Sequence, residues 1–198
     1  MKKYTLLFIV GILGLIVLSS FALAETVILQ PDPYHGKDTW VSSANESGKG
    51  NYSYIISGRY WRHYHQEYWS FIEFDYSSFI DDLENATNVS AELQLRHYYG
   101  RGPNNHKIYQ ANGTWDEHNL TWQNKPEYGY YYDTQYSLPS YGWYGWDVTD
   151  QVTAVAAGEI DNNGFIIRRP DVTNYNMFYS SDYSGATYRP KLVITYET

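Results

Sequence analysis

The chain has 198 residues, of which 43% are hydrophobic and 19% aromatic, and its 22 acidic and 14 basic side chains give a formal net charge of −8. Cysteine is absent, which excludes a disulfide-stabilised mini-protein and a thiolate metal site. The apolar content excludes a disordered tail, and the negative charge disfavours nucleic acid as a partner.

Residues 1–24 have the pattern of a secretory signal peptide. Lys2 and Lys3 precede an apolar run, and Ala22-Leu23-Ala24 ends it with a small-residue cleavage site. The apolar run is long for a signal peptide, so a retained N-terminal membrane anchor is the alternative. In either case residues 25–198 are expected outside the cell or at its surface, as a single domain. Sequons of the Asn-x-Ser/Thr type, the acceptor sites of an exported glycoprotein, occur at Asn45, Asn51, Asn85, Asn88, Asn112 and Asn119.

Runs of β-branched and aromatic residues recur along the chain, with turn signals between them. Regular spacing of this kind predicts an all-β fold, an antiparallel β-sandwich or jelly roll. Apolar and polar residues alternate most clearly over Val89–Leu95 and Leu192–Tyr196, so each of these strands is expected to bury one face. In chain order the predicted strands are Thr26–Leu29, Lys37–Ser42, Ser53–Ser57, Tyr68–Phe74, Val89–Tyr99, Lys107–Ala111, Trp143–Val148, Gly164–Arg168, Asn176–Ser180 and Lys191–Tyr196.

Helical patterns are short and few. One turn is predicted between Ser78 and Leu83, and a short capped helix is predicted from Thr149 to just before Gly158. The tyrosine- and glycine-rich stretch from Tyr128 through Trp146 is interpreted as a connection with a rigid contact surface. Its rings either bind sugar or a neighbouring subunit, or simply cover the sheet.

Several strings resemble one known family in their order and spacing. They are Asp38-Thr39-Trp40-Val41, Phe71-Ile72-Glu73-Phe74-Asp75, Val89–Leu95, Trp115-Asp116-Glu117 followed by Thr121-Trp122 and Pro126, Trp146-Asp147-Val148-Thr149, Gly164-Phe165-Ile166-Ile167, Phe178–Tyr183 and Arg189-Pro190-Lys191-Leu192. Together they resemble the DNRLRE-type domain, a β-jelly-roll module of secreted bacterial and archaeal proteins that include disaggregatase-related proteins. Some members of that family are similar to carbohydrate-binding modules of family 96, of the alginate-binding kind. The resemblance covers nearly all of residues 25–198 and implies a β-sandwich.

Two segments depart from the family pattern: Asn45–Tyr54 is longer than usual and Tyr60–Tyr68 is an insertion. A sandwich would display a ligand site in such a segment. Aromatic rings beside arginine and histidine suit a glycan-binding face, because rings stack on pyranose rings and guanidinium groups clamp carboxylates or sulfates. The alternative is a tyrosine-rich face that packs under loops. The predicted ligand-binding residues are Arg59, Trp61, Arg62, Tyr64, His65 and Tyr68, with Arg96, Tyr98 and Arg101 on a neighbouring strand.

Two kinds of metal site are considered. His63, His65 and Glu67 alternate in a way that suits zinc or iron, but the second histidine motif of a cupin is missing, which favours solvated histidines. Calcium is the better candidate, because small sandwiches often brace their loops with it and hard oxygen ligands are plentiful. No cofactor is expected to be required, and ordinary turn-forming aspartate is the alternative. The weak calcium candidates are Asp32, Asp38, Asp147 and Asp182.

The carboxyl groups are the first candidates for an enzymatic site, because a glycosidase uses a pair of them. Glu117, near Trp115 and Trp122, has surroundings that would raise its pKa, as the acid of a glycosidase requires. The family resemblance implies instead that all three are framework residues, with the glutamate accepting backbone or indole N–H bonds. A further alternative is a polysaccharide lyase site built from Tyr64, His65 and Arg96. No G-x-S-x-G, H-E-x-x-H, P-loop or dinucleotide motif occurs, so we expect a protein that is not an enzyme.

The leading hypothesis is a secreted or cell-surface, non-catalytic carbohydrate-binding module that recognises envelope or matrix polysaccharide. The main alternative is a structural surface protein, an adhesin or filament subunit, in which Glu25–Pro33 adds as a strand to a neighbour's sheet edge. The expected partners are a polysaccharide or glycan and, under the alternative, other copies of the chain. Nucleic acid is not expected, and a membrane is contacted only through a retained N-terminal segment.

Overall fold

The computed structural model describes residues 23–44, 50–60, 66–100, 104–137, 141–170 and 174–198. Most of these residues form strands. The strands are β1 (Ala24–Leu29), β2 (Lys37–Ser42), β3 (Tyr54–Tyr60), β4 (Gln66–Glu73), β5 (Thr87–Gly100), β6 (Asn104–Asn112), β7 (Glu127–Ser137), β8 (Trp143–Asp147), β9 (Phe165–Arg168), β10 (Tyr175–Tyr179) and β11 (Lys191–Glu197). Two helices are α1 (Ile80–Glu84) and α2 (Thr149–Ala156), and single 3-10 turns span Ser77–Phe79 and Ala186–Tyr188.

All strand pairs are antiparallel within the described residues, in the order β1-β11-β5-β10-β3-β4-β9-β6-β7, with β2 beside β4 and β8 beside β5. The long strand β5 joins two layers. Its first part pairs with β11 and β8, and its last residues, from His97 to Gly100, pair with β10. The predicted all-β sandwich or jelly roll is confirmed.

The main core follows the predicted alternation. Leu93 and Leu95 of β5 are fully buried, whereas Glu92, which lies between the buried Ala91 and Leu93, is exposed. The register of β5 and β11 places Leu93 opposite Leu192, so one row of apolar side chains from each strand enters the same core. Burial of each such side chain contributes about 1.5 to 3 kcal/mol to folding.

A second core lies on the other face of β2 and β4. Val41, Trp69 and Phe71 point into it, because they alternate with the residues that face the main core. Trp115 is buried there, and its indole N–H donates to the Asn163 carbonyl at 2.9 Å. Trp122 packs against the same cluster. Both tryptophans are therefore framework residues, as the family resemblance implied.

The interpretation of the stretch from Tyr128 as a connection was wrong, because Glu127–Ser137 forms β7 and pairs with β6. Two register shifts, at Ile108/Tyr109 and Tyr109/Ala111, interrupt that pairing. Each shift breaks the two-residue period on which strand prediction depends. Tyr128, Tyr130 and Tyr131 are all exposed, so β7 also lacks a continuous apolar face.

The helices are where the sequence predicts them. The predicted turn from Ser78 is a 3-10 turn followed by α1, and α2 begins at Thr149. Gly158, after α2, has a φ of +68°, a left-handed conformation that glycine adopts without strain at a helix end. No helix of the described residues is long and apolar enough to span a membrane. Residues 1–22 of the predicted signal peptide lie outside the described residues.

A polar network lies inside the main core, between β3, β5, β6 and β10. His106 Nδ1 is 3.1 Å from Ser57 Oγ, and Asn176 Nδ2 is 2.9 Å from His97 Nε2. Arg169 Nη1 donates to Asn176 Oδ1 at 3.0 Å. Burial, together with the Arg169 charge, lowers the pKa of His106 to about 3. The imidazole of His106 is therefore neutral in the folded protein at physiological pH.

This depressed pKa predicts a stability loss in mild acid. Below pH 6.5 the unfolded chain protonates His106 and the folded protein does not, so stability falls with pH from 6.5 down to about 3. Between pH 7.5 and 5.0 we expect His106 to account for a loss of about 2 kcal/mol, measured by urea unfolding. His106→Gln should remove this part of the pH dependence.

His35→Gln is the matched control, because it changes an exposed imidazole bonded to Asp32. The control should keep the wild-type pH dependence. An equal pH dependence in wild type and His106→Gln would show that His106 does not remain neutral in the folded protein.

Candidate functional site

Aromatic rings form a continuous row across the strands β2, β3, β4, β5 and β10. Tyr54 stacks on Trp40 at 6.4 Å and on Tyr98 at 6.1 Å between ring centroids, and Tyr98 lies 5.1 Å from Tyr179. Tyr179 continues the row to Tyr188 at 5.2 Å. We call this row the aromatic strip; its members are Trp40, Tyr52, Tyr54, Tyr68, Tyr98, Tyr175, Tyr179, Tyr183 and Tyr188.

The aromatic strip arises from the two-residue period of the strands. In β10, Tyr175 and Tyr179 lie on the strip side, and Phe178 on the opposite side is buried in the main core. In β5, Tyr98 follows the buried His97 in the same way. In β5 and β10 one side of the strand thus packs in the core and the other side carries strip residues, whereas Trp40 of β2 is a strip residue that is itself buried in the main core.

Cationic side chains extend one end of the strip. The Arg96 guanidinium carbon lies 4.4 Å from the Tyr188 ring centroid and 6.0 Å from that of Trp143. Lys191 Nζ lies 4.3 Å from the Trp143 centroid. Cation–π contacts at exposed sites contribute about 0.5 to 1 kcal/mol each. They hold the two positive charges beside exposed rings.

The structure places only some of the predicted ligand-binding residues at the aromatic strip. Tyr68 and Tyr98 belong to the aromatic strip, and Arg96 lies at its cationic end. Arg59 lies on the opposite face of β3, because it pairs with Glu67 while its neighbour Gly58 pairs with Tyr68. The structure therefore does not bring Arg59 together with Tyr68. The predicted residues outside the described part of the chain are Trp61, Arg62, Tyr64, His65 and Arg101.

Sequence reasoning missed the strip residues from strands distant in the chain, such as Tyr54, Tyr179 and Tyr188. A local signal did exist, since Tyr179 lies in the predicted strand Asn176–Ser180 and Tyr175, just before that strand, stands at even spacing from it. That signal does not tell which strands are neighbours. The pairing of β10 with both β3 and β5 is what assembles the strip.

Glu67 lies at the centre of a second cluster, on the face of β4 opposite to Tyr68 and the aromatic strip. It accepts hydrogen bonds from Trp69 Nε1 at 2.7 Å and Arg168 Nη2 at 2.8 Å, with Arg59 Nη2 at 3.4 Å. Burial raises the pKa of Glu67, but these hydrogen bonds and the arginine charges outweigh burial and hold the pKa below its ordinary value. The Arg168 guanidinium also stacks 4.4 Å from the Trp69 and Tyr128 centroids. Both Glu67 oxygens are therefore bonded within the protein, whereas the buried Arg168 Nε has no hydrogen-bond partner among the described residues.

Three carboxylates meet beside the start of β2. Asp38, Glu117 and Asp182 each place an oxygen within 4.8 Å of the others. Burial raises the pKa of Asp38 to about 7, and the neighbouring charges of Glu117 and Asp182 add to the rise, although hydrogen bonds from Ser181 oppose it. Glu117 Oε1 accepts the Asp38 backbone N–H at 2.9 Å, as the family resemblance implies for a framework glutamate.

The four predicted calcium candidates do not form one group. Asp38 and Asp182 lie together with Glu117, which the calcium prediction had not included. Asp32 closes a turn by accepting the backbone N–H groups of Tyr34 and His35. Asp147 accepts the N–H of Thr149 two residues on, in the turn that leads into α2. Two of the four are therefore turn-forming aspartates.

One family of known proteins matches the chain. The model of carbohydrate-binding module family 96 matches residues 33–196. The match begins just before β2 and runs into β11, so it contains the aromatic strip and the three carboxylates. No curated protein matches the chain significantly.

Glu67→Gln should destabilise the fold. The substitution removes the negative charge that Arg168 and Arg59 contact and leaves a partly buried guanidinium less well paired. We expect a loss of about 2 kcal/mol in the free energy of unfolding, measured by urea denaturation at pH 7. Glu159→Gln, at an exposed position after α2, is the control and should stay within about 0.5 kcal/mol of wild type. A neutral effect of Glu67→Gln would mean that its ion pairs add no net stability.

Proposed function

The chain belongs to carbohydrate-binding module family 96, and from that premise we propose that it is a secreted or surface-retained module that binds envelope or matrix polysaccharide through its aromatic strip. Family membership supports carbohydrate binding and a non-catalytic role. The export of the chain is supported by the signal-peptide pattern of residues 1–24.

The exposed part of the aromatic strip is the observation that carries the proposal. Tyr98 lies in the middle of the strip, between Tyr54 and Tyr179, and is 42% exposed. Tyrosine rings offer a flat apolar surface to the C–H face of a pyranose, and their hydroxyl groups bond to its hydroxyls. Because the rings already pack on one another, they lose little side-chain entropy on binding.

The cationic end of the strip favours acidic polysaccharide. Arg96 and Lys191 lie against exposed Trp143, so a sugar stacked there would place a carboxylate or sulfate next to positive charge. An arginine fork binds such anions bidentately. The net charge of the whole chain, −8, opposes an anionic ligand at long range, but ionic screening confines that effect to about 8 Å at physiological salt.

Filament assembly by strand addition receives less support. Strand β1, the core of the segment that would be donated, pairs with β11 at six consecutive positions from Ala24 to Leu29. Donation to a neighbour would first have to break this pairing. Glycan binding requires no such rearrangement.

Tyr98→Ala should weaken polysaccharide binding. The substitution removes the central exposed ring of the strip, and truncation of such an aromatic contact costs about 1 to 2 kcal/mol, or roughly tenfold in Kd. Isothermal titration calorimetry with alginate and with a neutral β-glucan measures the loss. Tyr130→Ala is the control, because Tyr130 is 62% exposed on β7 and contacts Tyr132 instead of the strip. Unchanged affinity in Tyr98→Ala, with the fold verified by circular dichroism, would remove the strip from the proposal.

Arg96→Gln should weaken binding of acidic polysaccharide selectively. Loss of the guanidinium should lower the affinity for alginate about fivefold and leave a neutral β-glucan unaffected. Arg59→Gln removes the same charge on the opposite face of β3 and should leave both affinities near wild type. Equal losses for the two glycans, or a larger loss in Arg59→Gln, would contradict a role for the cationic end of the strip.

A further inference from the structure

Three distant parts of the chain place carboxylates at one point. Asp38 is in β2, Glu117 lies between β6 and β7, and Asp182 lies between β10 and β11. One oxygen of each lies within 4.8 Å of the other two. Negative charges at that spacing repel one another, and partial burial strengthens the repulsion. The folded chain gains from a positive charge placed between them.

Asp38 supplies a second, independent sign of a ligand. Its side chain is 2% exposed, and its Oδ2 accepts the Ser181 backbone N–H at 2.7 Å. Its Oδ1 is fully buried and has no hydrogen-bond partner among the described residues. A buried carboxylate oxygen without a donor is costly, and native proteins rarely leave one so.

Three cations lie close enough for their charges to act on the cluster, namely Lys37, His118 and Arg189. Arg189 donates its Nε–H to the Tyr183 carbonyl at 2.8 Å. Lys37 Nζ pairs with Glu73 and lies 4.5 Å from the Trp115 centroid. His118 Nε2 is 3.9 Å from Glu117 Oε2, and its imidazole is largely exposed. Neither side chain is an ion-pair partner of Asp38 or Asp182 among the described residues.

We propose that Asp38, Glu117 and Asp182 hold a structural calcium ion. Calcium takes six to eight oxygen ligands and binds a carboxylate through one or both of its oxygens. A site made only of carboxylates does not suit metals that prefer thiolate or imidazole ligands. Water molecules would fill the coordination positions that the three carboxylates leave open. The ion fixes the connection between β10 and β11 to the start of β2. The inference does not depend on the proposed glycan-binding function.

Calcium binding is tested directly on the chelated protein. Addition of CaCl₂ to protein treated with EDTA should raise the melting temperature by about 5 °C or more, because a ligand that binds only the folded state stabilises it. Calorimetric titration with CaCl₂ should give one site per chain. MgCl₂ at the same concentration should give a smaller shift, since magnesium demands a tighter octahedral site.

Asp182→Asn is the decisive variant, because Asp182 is less buried than Asp38 and its substitution retains a side chain of the same shape. It should fold and lose the calcium-dependent shift. Asp32→Asn, at a candidate aspartate that instead closes a turn, should keep the full shift. A wild-type protein that neither binds CaCl₂ nor gains stability from it would overturn the proposal, and so would an equal shift in Asp182→Asn.

Discussion

Strand β5 takes part in both layers of the sandwich, and its register constrains nearly everything else. At its first residues the backbone bonds to β11 and β8, and at its end to β10. Because side chains alternate along a strand, one register decides that Leu93 and Leu95 enter the core and that Arg96 and Tyr98 leave it. A slip of one residue would bury the charged row and expose the apolar one. The core and the aromatic strip are therefore two results of the same hydrogen-bond ladder.

The sequence predicts this architecture well where local patterns suffice. The alternation in β5 and β11, the turn before α1 and the end of α2 just before Gly158 are all local, and the structure has them where expected. Strand β7 was missed because bulges interrupt its two-residue alternation of side chains, and because many of its residues are exposed to solvent. The aromatic strip and the carboxylate cluster unite residues far apart in sequence, such as Trp40 with Tyr54 and Asp38 with Glu117. Their assembly depends on which strands are neighbours, and no local pattern contains that information.

The two faces of the β3–β4 region use similar side chains for different purposes. On one face, Arg168 stacks on Trp69 while Glu67 satisfies its charge, so the cation–aromatic contact is closed within the protein. At the end of the strip, Arg96 and Lys191 also lie over aromatic rings, but those rings are exposed. A charge that is paired and buried supports the fold, whereas a charge held over an exposed ring stays accessible at the surface. The proposed binding of acidic polysaccharide depends on that accessibility.

The polar network inside the main core has a consequence for how reliably the chain reaches this fold. Asn176 bonds to His97 from the neighbouring strand and accepts a hydrogen bond from Arg169. If β10 paired two residues out of place along β5, the same side chains would still face the core, but these polar groups would lose their partners, at a cost of about 1 to 3 kcal/mol for each. An all-apolar core would tolerate such a misalignment far more readily. The network thus fixes the register of β10 against β5, because misaligned sheets are raised in free energy relative to the native one. This selection matters in a protein whose many similar tyrosine-rich strands would otherwise mispair easily.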